Sequence, residues 1–130
     1  MPVSQTFREW VLEQLRPTVR NVRHIRMFGC VGLYAGELFF ALLDHDQLYL
    51  KVDDSNRADF VAAGMGPFDP YGDGRLIIQY YEVPLEVIER PERLAEWAAK
   101  AIEVARRAKK ARLMRRTKKT TKKPTQRKRS

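Results

Sequence analysis

Cysteine and histidine are nearly absent from this chain: among 130 residues there is one cysteine, Cys30, and two histidines, His24 and His45. One thiol cannot close an internal disulfide, and without a second cysteine there is no metal-ligand spacing to read. Neither histidine has a partner three or four residues away that would suit a transition metal. Long apolar runs are missing too, and none approaches the roughly 20 residues that a membrane span needs. Arg8, Glu9 and Glu13 interrupt any apolar stretch near the start, so the N-terminus does not read as a signal peptide. The expectation is a cytoplasmic protein with no membrane partner, no metal and no cofactor.

The most telling absence is acid at the C-terminal end. Of 25 basic residues, 14 lie from Arg106 onward with no Asp or Glu among them. The other 11 share the first 105 residues with all 16 acids, so that part carries a net charge of −5 while the whole chain is +9. A mildly acidic body with a strongly basic tail points to a polyanionic partner for the tail, nucleic acid before an anionic membrane surface.

What is present reads as one domain of ordinary size. Thr6 and Glu9 have capping-box spacing, and Phe7, Trp10, Val11 and Leu15 follow a helical stripe that Pro17 should end near Arg16. From Val22 to Val52 the period changes to short β-favouring runs, broken at Ala35-Gly36 and at Asp44-His45-Asp46-Gln47. Connections that short permit only antiparallel pairing, hence a meander with Gly36 in a tight turn. Asp53, Asp54 and Ser55 are candidate caps for a short helix carrying Ala58, Phe60, Val61 and Ala62, which Gly64 is placed to end. Residues from Gly66 to Gly74 read as a loop, Leu76 to Tyr81 as a further strand, and Pro84 as the start of a helical turn over Leu85 and Ile88. Pro91 suits the first position of a last helix whose apolar face is Leu94, Trp97, Ala98, Ala101, Ile102, Ala105 and Ala108. The fold class is therefore α+β, an antiparallel sheet covered by helices, with Phe28, Leu50 and Trp97 expected to be buried. From Thr117 the composition cannot bury enough apolar surface to offset ordering, so that end is expected to be disordered when free. The division is a folded domain over residues 1–107 and a basic tail over 108–130.

Several constellations invite a chemical reading. Cys30 with His24 or His45 would be the only nucleophile pair, yet Cys30 stands between Gly29 and Val31 in an apolar strand, where an inert buried thiol is expected. Asp44, Asp46, Asp53 and Asp54 lack the mid-loop glycine and closing glutamate of an EF-hand and read as turn acids and helix caps. Gly64-Met65-Gly66 and Gly72-Asp73-Gly74 lack the Lys-Ser or Lys-Thr of a phosphate loop. Tyr34, Tyr49, Tyr80 and Tyr81 favour strands without implying base stacking, because the acidic body repels phosphate. Only the tail carries specific chemistry. Its candidate nucleic-acid contacts are Arg106, Arg107, Lys109, Lys110, Arg112, Arg115, Arg116, Lys118, Lys119, Lys122, Lys123, Arg127, Lys128 and Arg129, acting by counterion release without sequence readout. The bland alternative is a basic segment that pairs with the acidic body.

One stretch has a distinctive order. Met27-Phe28-Gly29, Gly32-Leu33-Tyr34, Gly36, Phe39-Phe40-Ala41, Leu48-Tyr49-Leu50-Lys51-Val52-Asp53, Asn56-Arg57, Phe60, Gly64-Met65, Pro67-Phe68 and Tyr80-Tyr81-Glu82-Val83-Pro84 follow one another, with Leu94 and Trp97-Ala98 beyond. In that order and spacing they resemble the N-terminal domain of the TfoX/Sxy family, over roughly residues 5 to 107. The resemblance implies a bacterial competence regulator without catalytic residues, one that acts with a transcription factor such as the cyclic-AMP receptor protein. Two departures qualify it. A basic tail stands where the family's helical second domain would be, and Cys30 replaces the second of two adjacent glycines, which requires ordinary strand dihedrals there. The function expected is non-enzymatic and transcription-associated, with the folded module on a protein partner and the tail on DNA. The alternatives are an RNA- or ribosome-associated protein, or a small enzyme or ligand-binding module whose site is assembled from distant residues.

Overall fold

The computed structural model describes the backbone of residues 3–129 and the side chains of residues 3–116. Its elements, in chain order, are α1 (Gln5–Leu15), β1 (Val22–Met27), β2 (Cys30–Ala35), β3 (Leu38–Asp44), β4 (Gln47–Lys51), α2 (Arg57–Ala62), β5 (Pro67–Phe68), β6 (Ile77–Glu82), α3 (Leu85–Ile88) and α4 (Pro91–Arg129). The six strands form one sheet in the order β1-β2-β3-β4-β6-β5, with every pairing antiparallel. The expected meander is therefore present in β1 to β4, and β6 joins it beside β4.

Three two-residue turns hold the meander in register. Phe28-Gly29 joins β1 to β2 with φ of 50° and 81°, and His45-Asp46 joins β3 to β4 with 52° and 56°. Positive φ at both loop positions is the type I′ arrangement, whose twist matches the strands it connects. Gly36 supplies the left-handed residue of the third turn at φ 61°. In β3 the register shifts so that Leu33 faces Ala41 and Tyr34 faces Phe39, leaving Phe40 as the extra residue of a bulge. Phe40 and Ala41 both enter the core as a result, and both are fully buried.

Helices cover one face of the sheet. Leu33, Phe40, Leu43, Leu48 and Leu50 meet Val11, Leu12 and Leu15 of α1 and Leu94, Ala98, Ala101 and Ala105 of α4 in a single cluster. The alanines let the α4 axis approach the strands closely, because they hold no bulk between backbone and sheet. Asn56 is buried in this layer: its Oδ1 accepts from the Asp53 amide at 2.9 Å, and its Nδ2 donates to the Lys51 carbonyl at 3.1 Å. It thereby satisfies two backbone groups where the chain leaves β4 for α2.

Several expectations need correction. Ser4, not Thr6, caps α1, its Oγ accepting from the Phe7 amide at 3.1 Å. The cap position of α2 is Asn56, while Asp53 instead accepts from the amide and hydroxyl of Ser55. The stretch expected to be a loop from Gly66 contains β5, because Phe68 covers Tyr49 with ring centroids 4.6 Å apart. Leu50 is buried as expected, but Trp97 is only partly so, packing edge-on against Phe60 at 4.7 Å. Phe28 is 102% exposed: the β1–β2 register makes it a turn residue at the tip of a hairpin. Cys30 is partly exposed and does not lie in the main core. The residue 107/108 boundary lies within the span of α4, Pro91–Arg129. The side chains from residue 117 onward lie outside the described residues.

Candidate partner-binding groove and basic helix

The strands alternate, so the residues that leave the helix-covered core must form a second face. Leu42, Tyr49, Phe68 and Tyr80 are buried together there, with Cys30 and Phe39 packed against them. Aromatic rings run across it: Tyr34 stacks on Phe39 at 5.1 Å, and Phe39 meets Tyr80 at 5.6 Å. Gly32 belongs to this face for a steric reason. A Cβ at that position would lie 2.7 Å from Met27 Cε and 3.1 Å from Phe39 Cε1, so glycine leaves Met27 room to fold over the strand.

Among the described residues the helices pack on the other face, and α4 meets this one only at its far end, where Lys109 and Arg112 approach Tyr34 and Phe39. Between the Phe28-Gly29 turn and the segment around Tyr71 this second face opens into a groove of about 620 Å³, floored by Phe39, Leu42 and Phe68 and walled by Met27, Phe28, Tyr71 and Ile77. Its walls carry unusually exposed apolar side chains: Phe28, Tyr71 at 71% and Ile77 at 37%. Exposed apolar surface gathered in one place marks an interaction site more often than chance does. Phe28 adds a second signal. A bulky side chain at φ 50° is strained, and a strained residue with no packing to hold it is a functional candidate.

One corner of the groove is polar. Cys30 lies across from Asp44, and His45 Nδ1 is 2.8 Å from Asp44 Oδ2. The three residues lie together, but in the wrong order for a nucleophile. A reactive thiol needs a positive group beside it to favour the thiolate, whereas here a carboxylate faces the thiol directly. Burial pushes the Cys30 pKa up to about 11, and the charge on Asp44 and a hydrogen bond to it push the same way. The thiol stays protonated, as an inert cysteine does. The low reactivity expected of Cys30 therefore rests first on burial, with Asp44 adding to it. The other aspartates do not converge: Asp46 accepts from the Ser4 amide at 2.8 Å, and Asp54 pairs with Arg57.

The basic residues of α4 divide into two groups. Arg106 pairs with Glu103, and Arg107 reaches Asp53 at 3.1 Å and the Ser55 hydroxyl at 2.8 Å. Lys109 pairs with Glu37 at 2.8 Å. These three are engaged with acids of the body, which is the bland reading of a basic segment in part. Beyond them Lys110, Arg112, Arg115 and Arg116 are exposed. The candidate contacts Lys118, Lys119, Lys122, Lys123, Arg127, Lys128 and Arg129 have side chains outside the described residues. The helix thus brings its described cations together along one end of the molecule, and two of them, Lys109 and Arg112, line a cavity that shares Phe39 with the groove.

Sequence reasoning missed the groove. The signal was available: β2, β3 and β4 carry apolar residues on both alternating sets, Val31 and Leu33 against Cys30 and Tyr34, and Leu48 and Leu50 against Tyr49. A strand apolar on both faces must be covered twice or be open on one side.

Among the described residues no helix is long and apolar enough to cross a membrane. No curated protein matches the sequence. The model of the TfoX N-terminal domain family matches residues 13–105, from within α1 to the packed part of α4. With most of its length matched, and the whole sheet inside the matched span, the chain belongs to the TfoX N-terminal domain family.

Proposed function

We propose that this protein is a non-enzymatic, transcription-associated regulator of the cytoplasm, in which the folded module docks on a protein partner and the basic end of α4 holds DNA by its phosphates. The observation that carries the reading is the presence of two surfaces of opposite character. An open apolar groove lies on a body of net charge −5, and a helix end leaves that body carrying only cations from Arg106 onward. The groove suits an apolar side-chain cluster of a partner protein, and the cation run suits a charge-dense polymer. Membership of a family whose members resemble competence regulators supports a regulatory role. It also makes a transcription factor similar to the cyclic-AMP receptor protein the first partner to test. The protonated thiol at the polar corner favours binding over nucleophilic chemistry.

The test is a capture experiment with the whole chain, with the Phe28→Asn variant, and with a chain ending at Lys110, each with and without nuclease. The groove variant should lose the nuclease-resistant protein species, and the shortened chain should lose the nuclease-sensitive one. If both variants retain both species, the two-surface reading is wrong.

A further inference from the structure

A second, smaller cavity of about 210 Å³ lies where α4 passes the far end of the sheet, lined by Tyr34, Phe39, Lys51 and Leu38 below and by Lys109 and Arg112 above. Its charges are out of balance. Lys51 is the one cation on its strand; its Nζ sits 5.0 Å above the Tyr80 ring and 3.4 Å from the Tyr80 hydroxyl. Among the described residues neither Lys51 nor Arg112 forms an ion pair. Burial holds the Lys51 pKa below its ordinary value, and repulsion from Arg112 lowers it further. Arg23 lies beside this lining, its guanidinium 5.3 Å from the Tyr34 ring centroid and donating twice to the Gly36 carbonyl, at 3.1 and 2.9 Å. Against the three cations that line the cavity stands one carboxylate, Glu37, which pairs with Lys109; its side chain is 84% exposed, and Lys109 and Arg23 both hold its pKa below the usual carboxylate range.

A half-buried lysine normally has a carboxylate to offset its desolvation. Here the groups nearest Lys51 are a tyrosine and a second cation, an arrangement that an anion entering the cavity would complete. We propose that the cavity is a binding site for a phosphoryl oxyanion, held between Lys51 and Arg112, with Lys109 released to it when Glu37 swings away. Lysine contributes a point charge, and the arginine fork can donate two hydrogen bonds to one oxyanion. Glu37 occupies the rim as an exposed stand-in anion and competes with the ligand. The source of the phosphoryl group is either a small phosphate-bearing molecule or a phosphodiester of the DNA held by the basic helix. The site does not depend on the DNA reading, since pyrophosphate alone probes it.

The experiment is a pyrophosphate titration of the full chain at constant ionic strength, followed by amide chemical shifts. Saturable shifts are expected at Glu37, Lys51, Lys109 and Arg112. In Arg112→Gln, a change at an exposed helical position, binding should weaken by about tenfold, the loss of one charge-assisted hydrogen bond. Glu37→Gln should tighten it roughly two- to fivefold, the value of an exposed ion pair no longer competing. A chain with Lys122, Lys123, Arg127, Lys128 and Arg129 all changed to Gln should bind pyrophosphate as the parent does. Equal affinity in the parent and Arg112→Gln, or weaker binding in Glu37→Gln, would overturn the proposal; so would shifts that vanish with the cations of the last residues. Adding a short duplex identifies the source: competition with pyrophosphate assigns the site to a phosphodiester, and independent binding assigns it to a small phosphate.

Discussion

Phe28→Asn is the substitution that most directly tests how the groove is built. Phe28 holds φ at 50° and is 102% exposed, so it strains the backbone and buries nothing. A left-handed backbone costs an ordinary L-residue roughly 1–2 kcal/mol, and asparagine tolerates it better because its short polar side chain bonds locally. Asn-Gly is also the preferred pair for a type I′ turn. No apolar transfer energy is lost, since there is no burial to lose. The fold should therefore gain about 0.5–1 kcal/mol, which for a chain of this size raises Tm by about 2–5 °C. Phe28→Ala is the control: it keeps a Cβ at positive φ and should leave stability nearly unchanged. Thermal unfolding of the three proteins under identical conditions is the assay. If either variant lost 3 kcal/mol or more, the range of a core aromatic, Phe28 would have to be packed and the groove closed. A stabilised Phe28→Asn that no longer captures partner would show that the sequence keeps a destabilising residue for binding.

Four further outcomes are expected. Asn56→Ala leaves the Lys51 carbonyl and the Asp53 amide without their partner, at about 1–3 kcal/mol each, so urea unfolding should show a loss of about 2–5 kcal/mol; under 1 kcal/mol would mean that water replaces the side chain. Trp97→Ala should cost about 2–4 kcal/mol, at or below the usual range for a core aromatic, because the indole is partly exposed and loses chiefly its contact with Phe60. Cys30, with its pKa near 11, should react with a thiol reagent at pH 8 far more slowly than a denatured control, and the rate should climb about tenfold per pH unit until pH 11. The sign for stability follows: the group's contribution is complete below the unfolded thiol's pKa, near 8.5, and is lost as pH rises from there to about 11. Removing residues after Lys110 should leave Tm almost unchanged and abolish most duplex affinity. In the full chain about seven phosphate contacts, half of the 14 cations, should make log K fall against log salt with a slope near −6, and a slope shallower than −2 would refute counterion release as the source of binding.

The order and type of most elements were legible in the sequence because they rest on local rules. Two-residue connections at Gly36 and at His45-Asp46 force antiparallel neighbours, and the spacing of Leu94, Ala98, Ala101 and Ala105 marks one face of a helix whatever it packs on. The charge division at Arg106 needs no structure at all. Facing was not legible. Period-two alternation tells which residues share a face of a sheet, but only the packing of α1 and α4 decides which face is covered, and hence that Tyr34, Phe39 and Cys30 border open grooves while Leu33 and Phe40 do not. Register decided the fate of Phe28, since pairing Met27 with Cys30 turns an apparent core aromatic into the tip of a hairpin. Juxtapositions across the chain were equally out of reach: Asp44 beside the Cys30 thiol, Asn56 under the Lys51 carbonyl, and Arg112 above Lys51. Charge and periodicity are properties of the chain, whereas the desolvation and pairing that give a side chain its chemistry arise only when distant segments meet.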